Sequence, residues 1–173
     1  QEDIRNPAAW VDLIERYRIT VWNSVPQLAE LLSDQVGEEG RLDSLRVFLL
    51  SGDWIPVNLP AKLQALSPGS QVMSLGGATE GSIWSIWYPI GEVAPGWASI
   101  PYGVAMPNQK MYVLDAAGGH CPVGVTGEIH IGGAGVALNY WRDERLTAER
   151  YFEHPELGRL YRTGDLGRWS REG

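Results

Sequence analysis

Apolar positions recur at helical spacing through the first part of the chain and give way to alternation after about Tyr102. Asn6 followed by Pro7 supplies a cap and a first-turn proline. Trp10, Leu13, Ile14 and Tyr17 then fall three and four residues apart, which predicts an amphipathic helix with one buried face. Residues 19–22 form a short β-branched run, and residues 26–33 a second helix carrying Leu28, Leu31 and Leu32. Residues 37–40 read as a polar, acidic loop. The pattern then repeats, with a buried strand at 46–50, a helix at 56–66 with Leu59, Leu63 and Leu66 on one face, and a strand at 71–75. Strands separated by helices imply parallel pairing through crossovers.

Beyond Tyr102 the predicted strands are short and bounded by glycine turns, at 110–114, 128–131 and 160–162, with a helix at 144–151. Asp115-Ala116-Ala117-Gly118-Gly119 predicts a hairpin turn. The expected fold is therefore α/β: part of a parallel β/α sheet layer over residues 1–100, then a small antiparallel distorted β-barrel over residues 101–173. No repeat or low-complexity tract interrupts it. In open α/β sheets ligands bind at the carboxyl ends of the strands. The loops Ser51-Gly52 and Gly76-Gly77-Ala78-Thr79-Glu80 follow successive strands and are expected side by side over one crevice.

Composition narrows the function. A formal charge of −7 is a poor match for a nucleic-acid surface, which needs clustered Lys and Arg. No apolar run approaches the roughly 20 residues of a membrane span, and Gln1 opens no signal-peptide pattern, so a cytoplasmic location is expected. The one cysteine, Cys121, has no internal disulfide partner and lies in a turn-like segment away from any base. Eight tryptophans suggest a core with aromatic walls. His120, His130 and His154 show no metal-ligand spacing, so no zinc site is assigned.

Three stretches carry candidate chemistry. Tyr161-Arg162-Thr163-Gly164-Asp165-Leu166 is read as a strand ending in a tight turn. A carboxylate fixed there can accept hydrogen bonds from two adjacent hydroxyls, as the diol of a ribose offers. By itself a Gly-Asp pair is an ordinary β-turn. Ser74-Leu75-Gly76-Gly77-Ala78-Thr79-Glu80-Gly81 offers backbone N–H groups to an anion, a hydroxyl at Thr79, and a carboxylate at Glu80 that could hold Mg²⁺ against phosphate oxygens. A strand-to-strand turn with a solvated Glu is the plainer reading of that loop alone, and no Gly-Lys-Ser/Thr makes it a Walker loop. The third stretch runs from Gly127-Glu128-Ile129-His130-Ile131-Gly132-Gly133 through Gly135-Val136-Ala137 and Asn139-Tyr140-Trp141 to Leu146-Thr147-Ala148-Glu149-Arg150-Tyr151-Phe152.

In this order and spacing the three stretches resemble the core motifs of adenylation domains of nonribosomal peptide synthetases, in the adenylate-forming superfamily. The resemblance covers about residues 19–169. It implies that Thr79 contacts the α-phosphate of ATP, that Glu80 ligates Mg²⁺, and that Asp165 takes the ribose hydroxyls. Gly52, Ser74 and Gly77 would line the adenine slot, with Gly76 and Ala78 in the same nucleotide loop. Most members place a Tyr where this chain has Gly76, so a stacking surface for adenine is missing there. The family's phosphate loop and amine-anchoring Asp would precede this sequence, and its hinge and C-terminal lid with a catalytic Lys would follow Arg171-Glu172-Gly173. The chain is accordingly expected to be the second half of the large N-terminal subdomain, inactive by itself.

The positions matching the family's amino-acid pocket are Asn23, Leu49, Ser51, Leu75, Ile83 and Trp84. Leu49, Leu75 and Ile83 would also be ordinary core in any such sheet. As pocket walls beside an indole they leave room for a small, weakly polar side chain, and cysteine fits because its thiol is cheaply desolvated. The set resembles that of cysteine-activating domains in thiazoline-siderophore synthetases of the pyochelin and yersiniabactin type. The implied reaction is formation of aminoacyl-AMP from an amino acid and Mg-ATP, then thioester transfer to the phosphopantetheine of a peptidyl carrier domain. A condensation/cyclisation domain and the lid subdomain would be further partners. An aryl-acid or acyl-CoA ligase, a non-catalytic interaction module and a degenerate adenylation domain are the other readings.

Overall fold

The computed structural model describes residues 6–171. Gln1, Glu172 and Gly173 lie outside them. The chain divides into two compact units, one taking the sequence up to Leu75 together with Tyr88–Tyr102, the other Gly76–Trp87 with Gly103 onward.

In the first unit α1 (Pro7–Tyr17), β1 (Val21–Ser24), α2 (Pro26–Val36), β2 (Val47–Leu50), α3 (Leu59–Leu66) and β3 (Gln71–Gly76) alternate as the sequence pattern predicts. Asn6 caps α1 by accepting from Ala8 N–H at 3.1 Å, with Pro7 at the first turn. β1–β2 and β2–β3 pair in parallel, in rows such as Asn23–Leu49–Met73 and Ser24–Leu50–Ser74. Side chains alternate across a strand. Phe48, Leu50 and Val72 therefore share one face, where Ile14, Ala29, Leu32, Leu59, Leu63 and Leu66 bury them. The predicted α3 face is found intact. On α1 and α2 the buried stripe differs from the expected one. Ile14 is buried but Leu13 and Tyr17 are exposed, and Ala29 and Leu32 are buried while Leu28 and Leu31 are exposed. A run of apolar residues at helical spacing marks a stripe wider than the sheet covers.

The strands continue as β4 (Ile86–Ile90) and β5 (Val104–Ala105), which the sequence pattern did not reveal, and the sheet order is β1-β2-β3-β4-β5 with β4 and β5 antiparallel. In the second unit β6 (Gln109–Leu114), β7 (Gly127–Gly133), α4 (Glu144–Arg150), β8 (Tyr151–His154) and β9 (Gly158–Gly167) follow. All pairings here are antiparallel, in the order β6-β7-β9-β8. The sheet is open, so the barrel-like part of the expected fold is an antiparallel sheet without closure. Its core gathers Ile86, Met111, Ile131, Tyr151 and Tyr161. Asp115 builds the predicted turn, its Oδ1 accepting from Ala117 and Gly119 N–H. Among the described residues no helix is long and apolar enough to cross a membrane.

Candidate functional site

The loop after β3 turns sharply at Gly77, whose φ of +141° and crowded surroundings admit no side chain: a Cβ there would lie 2.7 Å from Ser85 N and 2.9 Å from Ile83 O. A single turn of 3-10 helix, Thr79–Gly81, follows, with Gly81 N–H and Ile83 N–H both donating to Ala78 O. This turn places Glu80 half-buried and Thr79 exposed.

Glu80 is held at both ends by the segment that precedes α4. Ala137 N–H donates to the Glu80 carbonyl at 2.7 Å, and the Tyr140 hydroxyl donates to Oε1. The adjacent Ser82 hydroxyl donates to Gly135 O at 2.8 Å, while Ser85 Oγ and Gln109 Nε2 donate to Gly81 O. Burial alone would raise the Glu80 carboxyl. Hydrogen bonds from Tyr140, its own backbone N–H and Tyr161, with the Arg150 charge, outweigh it and hold the group below the usual carboxylate range. Glu80 is thus an anion at neutral pH.

Asp165 lies in a different local structure from the one expected. The Thr-Gly-Asp stretch does not end its strand; it is a bulge inside β9. Between the pairs His130–Arg162 and Glu128–Leu166 one residue of β7, Ile129, faces three of β9, Thr163, Gly164 and Asp165, after which pairing resumes. Gly164 takes φ +84° in the bulge. Thr163 Oγ1 donates to Ile129 O at 2.7 Å and accepts from Asp165 N–H at 3.0 Å, while Gly164 N–H donates to Glu128 Oε1 at 3.1 Å. The extra length pushes the Asp165 carboxylate out into solvent, where it is exposed.

Of the remaining candidates, Asn23, Leu49, Ser51 and Leu75 belong to the first unit. Asn23 and Leu49 are register partners, and Ser51 and Leu75 stand one pleat further along on the same face, opposite the helix-covered one. Ser51 N–H extends the ladder by donating to Ser24 O, and Gly52 follows at φ +85°. Ser74 points to the opposite, covered face with Leu50 and is buried. Gly76 ends β3 and is buried. Ile83 and Trp84 belong to the second unit. Ile83 is 65% exposed and sits at φ +70° between Ser82 O and Trp84 N–H, 2.8 Å apart, a three-residue turn that a β-branched residue seldom occupies.

Tyr140, Tyr161, Glu128 and Thr163, which fix the two carboxylates, were not singled out from the sequence. Their only trace was membership of the quoted stretches. His130, buried in β7, shares Nδ1 with Glu128 O and packs edge-on against Phe152; burial pushes its pKa down.

The model of the family described as AMP-binding enzyme matches residues 1–141. The chain belongs to the AMP-binding enzyme family. It is 52% identical over 170 residues to pyochelin synthetase PchF of Pseudomonas aeruginosa, covering 97% of this chain and 9% of that protein. It is 48% identical over 172 residues to bacitracin synthase 1 of Bacillus licheniformis, covering 99% of this chain and 3% of that protein. The chain thus spans a small part of the length of these relatives. A crystal structure of the nonribosomal peptide synthetase FmoA3 matches with a TM-score of 0.94 at 40% identity, over 97% of this chain and 18% of that one. Forms of FmoA3 bound to AMPPNP and to α-methyl-L-serine-AMP match at TM-scores of 0.92 and 0.93. These likenesses bear out the resemblance to adenylation domains drawn from the three motif stretches.

The donor set fits the groups this family implies. No cluster of three or more metal-ligating side chains occurs among the described residues. A single anionic Glu suits Mg²⁺, which keeps most of its waters and binds through one or two carboxylates plus substrate phosphates. An exposed carboxylate on a rigid bulge suits a ribose diol.

Proposed function

We propose that this chain supplies the metal-binding, ribose-binding and side-chain-selecting part of an adenylation domain that activates L-cysteine. Bound Mg²⁺ would neutralise phosphate charge. The substrate carboxylate attacks the α-phosphorus of ATP, a new P–O bond forms, the α–β bond breaks, and pyrophosphate leaves with the electron pair. Glu80 holds the metal, the Thr79 hydroxyl donates to the α-phosphate, and Asp165 accepts from the ribose hydroxyls. By the same resemblance Gly52, Ser74, Gly76, Gly77 and Ala78 would be the nucleotide-lining residues. The observation that carries this reading is the Glu80 carboxylate, kept anionic and oriented in the same unit that projects Asp165 on its bulge. Thioester transfer to a phosphopantetheine-bearing carrier domain and passage to a condensation/cyclisation domain would follow in the whole protein.

Cysteine is favoured by the residue set Asn23, Leu49, Ser51, Leu75, Ile83 and Trp84, which joins apolar walls to two small polar groups. The deciding experiment is amino-acid-dependent ATP–pyrophosphate exchange by the full-length protein with all proteinogenic amino acids and salicylate. Exchange confined to cysteine supports both reaction and pocket. Another preferred acid discards the pocket assignment, and no exchange with any acid discards the reaction. Trp84→Ala is expected to improve exchange with larger apolar amino acids relative to cysteine by about tenfold, the scale of one or two methylenes in a pocket. An unchanged preference order would remove Trp84 from the pocket.

A further inference from the structure

Glu80 is reached by an aromatic group that the reaction as proposed does not use. The Tyr140 hydroxyl donates to Glu80 Oε1. The Tyr140 ring stands edge-on to Tyr151 at 5.5 Å, and Tyr151 packs on Tyr161 at 5.2 Å, inside the second unit's apolar core. The backbone of Tyr140 is also tied down. Its N–H donates to Thr147 Oγ1 at 3.0 Å, and Thr147 in turn donates to Asp143 O at 2.7 Å, in the first turn of α4 that Asp143 caps. Ala137, three residues earlier, holds the Glu80 carbonyl. The residue thus connects a rigid helix start to one oxygen of an otherwise flexible side chain.

We propose that Tyr140 is a positioning residue for Glu80, fixing the direction from which the carboxylate meets a divalent cation on the nucleotide phosphates. The inference rests on the metal role given to Glu80 above. Mg²⁺ demands near-ideal octahedral geometry, so a ligand held in one rotamer binds it with less ordering cost than one that must be caught from several. Tyr161 approaches the same carboxylate from β9, the strand that carries the Asp165 bulge.

The test compares Tyr140→Phe and Glu80→Gln with the parent in the full-length protein saturated with AMPPNP, using Mn²⁺ as the paramagnetic probe and electron paramagnetic resonance to read free ion. Phe keeps the ring packing, and circular dichroism checks the fold. The Mn²⁺ dissociation constant is expected to rise about tenfold in Tyr140→Phe, the scale of a lost hydrogen bond to a charged group. In exchange assays the half-saturating Mg²⁺ should rise by a similar factor, saturating Mg²⁺ should restore most of the rate, and the KM for the amino acid should not move. A merely structural tyrosine would lower melting temperature without moving the metal constants. Unchanged or tighter Mn²⁺ binding in Tyr140→Phe, alongside weakened binding in Glu80→Gln, would overturn the positioning role alone. Unchanged binding in Glu80→Gln would remove the metal assignment and this inference with it. Should Tyr140→Phe not fold, Tyr161→Phe carries the test, with an expected shift of about threefold in the same direction.

Discussion

Glu80→Ala in the full-length protein is expected to lower amino-acid-dependent ATP–pyrophosphate exchange by at least about 10²–10³-fold, the loss typical when one preorganised electrostatic group is removed from a reacting site. The fold should survive. The Glu80 backbone stays anchored through Ala137, and the carboxylate takes part in no ion pair closer than 4 Å among the described residues. What is lost is the hydrogen bonding of Tyr140, Tyr161 and the Glu80 N–H to a half-buried carboxylate, and the hydroxyls left behind can turn to water, at a cost of about 1–2 kcal/mol. Melting temperature should therefore fall by only a few degrees. Exchange that proceeds at the parent rate would sink the metal assignment.

The pH dependence follows from the same contacts. Glu80 has a lower pKa in the folded chain than in the unfolded one, so its contribution to stability is fully present above the unfolded value of 4.5 and is lost as pH falls through the folded value. Its protonation should leave no inflection in the exchange profile above that value. A limb near neutral pH that disappears in Glu80→Gln would contradict the contacts described here.

Local chemistry made part of this arrangement readable in the sequence, and long-range register made the rest invisible. Leu59, Leu63 and Leu66 announce α3 because each is fully or almost fully buried on the stripe that periodicity marks. β4 escaped notice because Pro89 and the bulky Trp87-Tyr88 pair break any clean alternation, and β8 because Tyr151 follows α4 with no turn residue between them. The Thr-Gly-Asp stretch carries turn residues, and turn residues serve a bulge equally well. Only the two-residue slip of β9 against β7 decides between them. The site divides the same way. Glu80 and Asp165 stand out because a carboxylate beside glycine is a chemical signal, whereas Tyr140 and Tyr161 look like any core aromatics until the fold brings them to Glu80.

Gly77→Ala is expected to have the largest effect on stability. The backbone there sits at φ +141°, which L residues rarely adopt, and the new methyl would meet Ser85 N at 2.7 Å, Ile83 O at 2.9 Å and Ser85 Oγ at 3.1 Å. The two nearest atoms are backbone, and neither can move freely. Ser85 N–H donates to Gly76 O at 2.8 Å, and Ile83 is already held in its strained turn through Ala78 O. Strain of about 1–2 kcal/mol from the left-handed backbone adds to about 1–3 kcal/mol of overpacking, so the variant should lose about 2–5 kcal/mol. In a chain of this size that lowers the melting temperature by about 5–20 °C. Relief requires the loop to move away from Ser85, and that movement carries Thr79 and Glu80 with it. Nucleotide and Mg²⁺ affinities should therefore fall together in the folded fraction, unlike Tyr140→Phe, where the metal constant moves alone. Gly76→Ala is the control: its backbone is not left-handed, so a loss there equal to that of Gly77→Ala would show that bulk in the loop, and not the Gly77 conformation, is what the fold rejects.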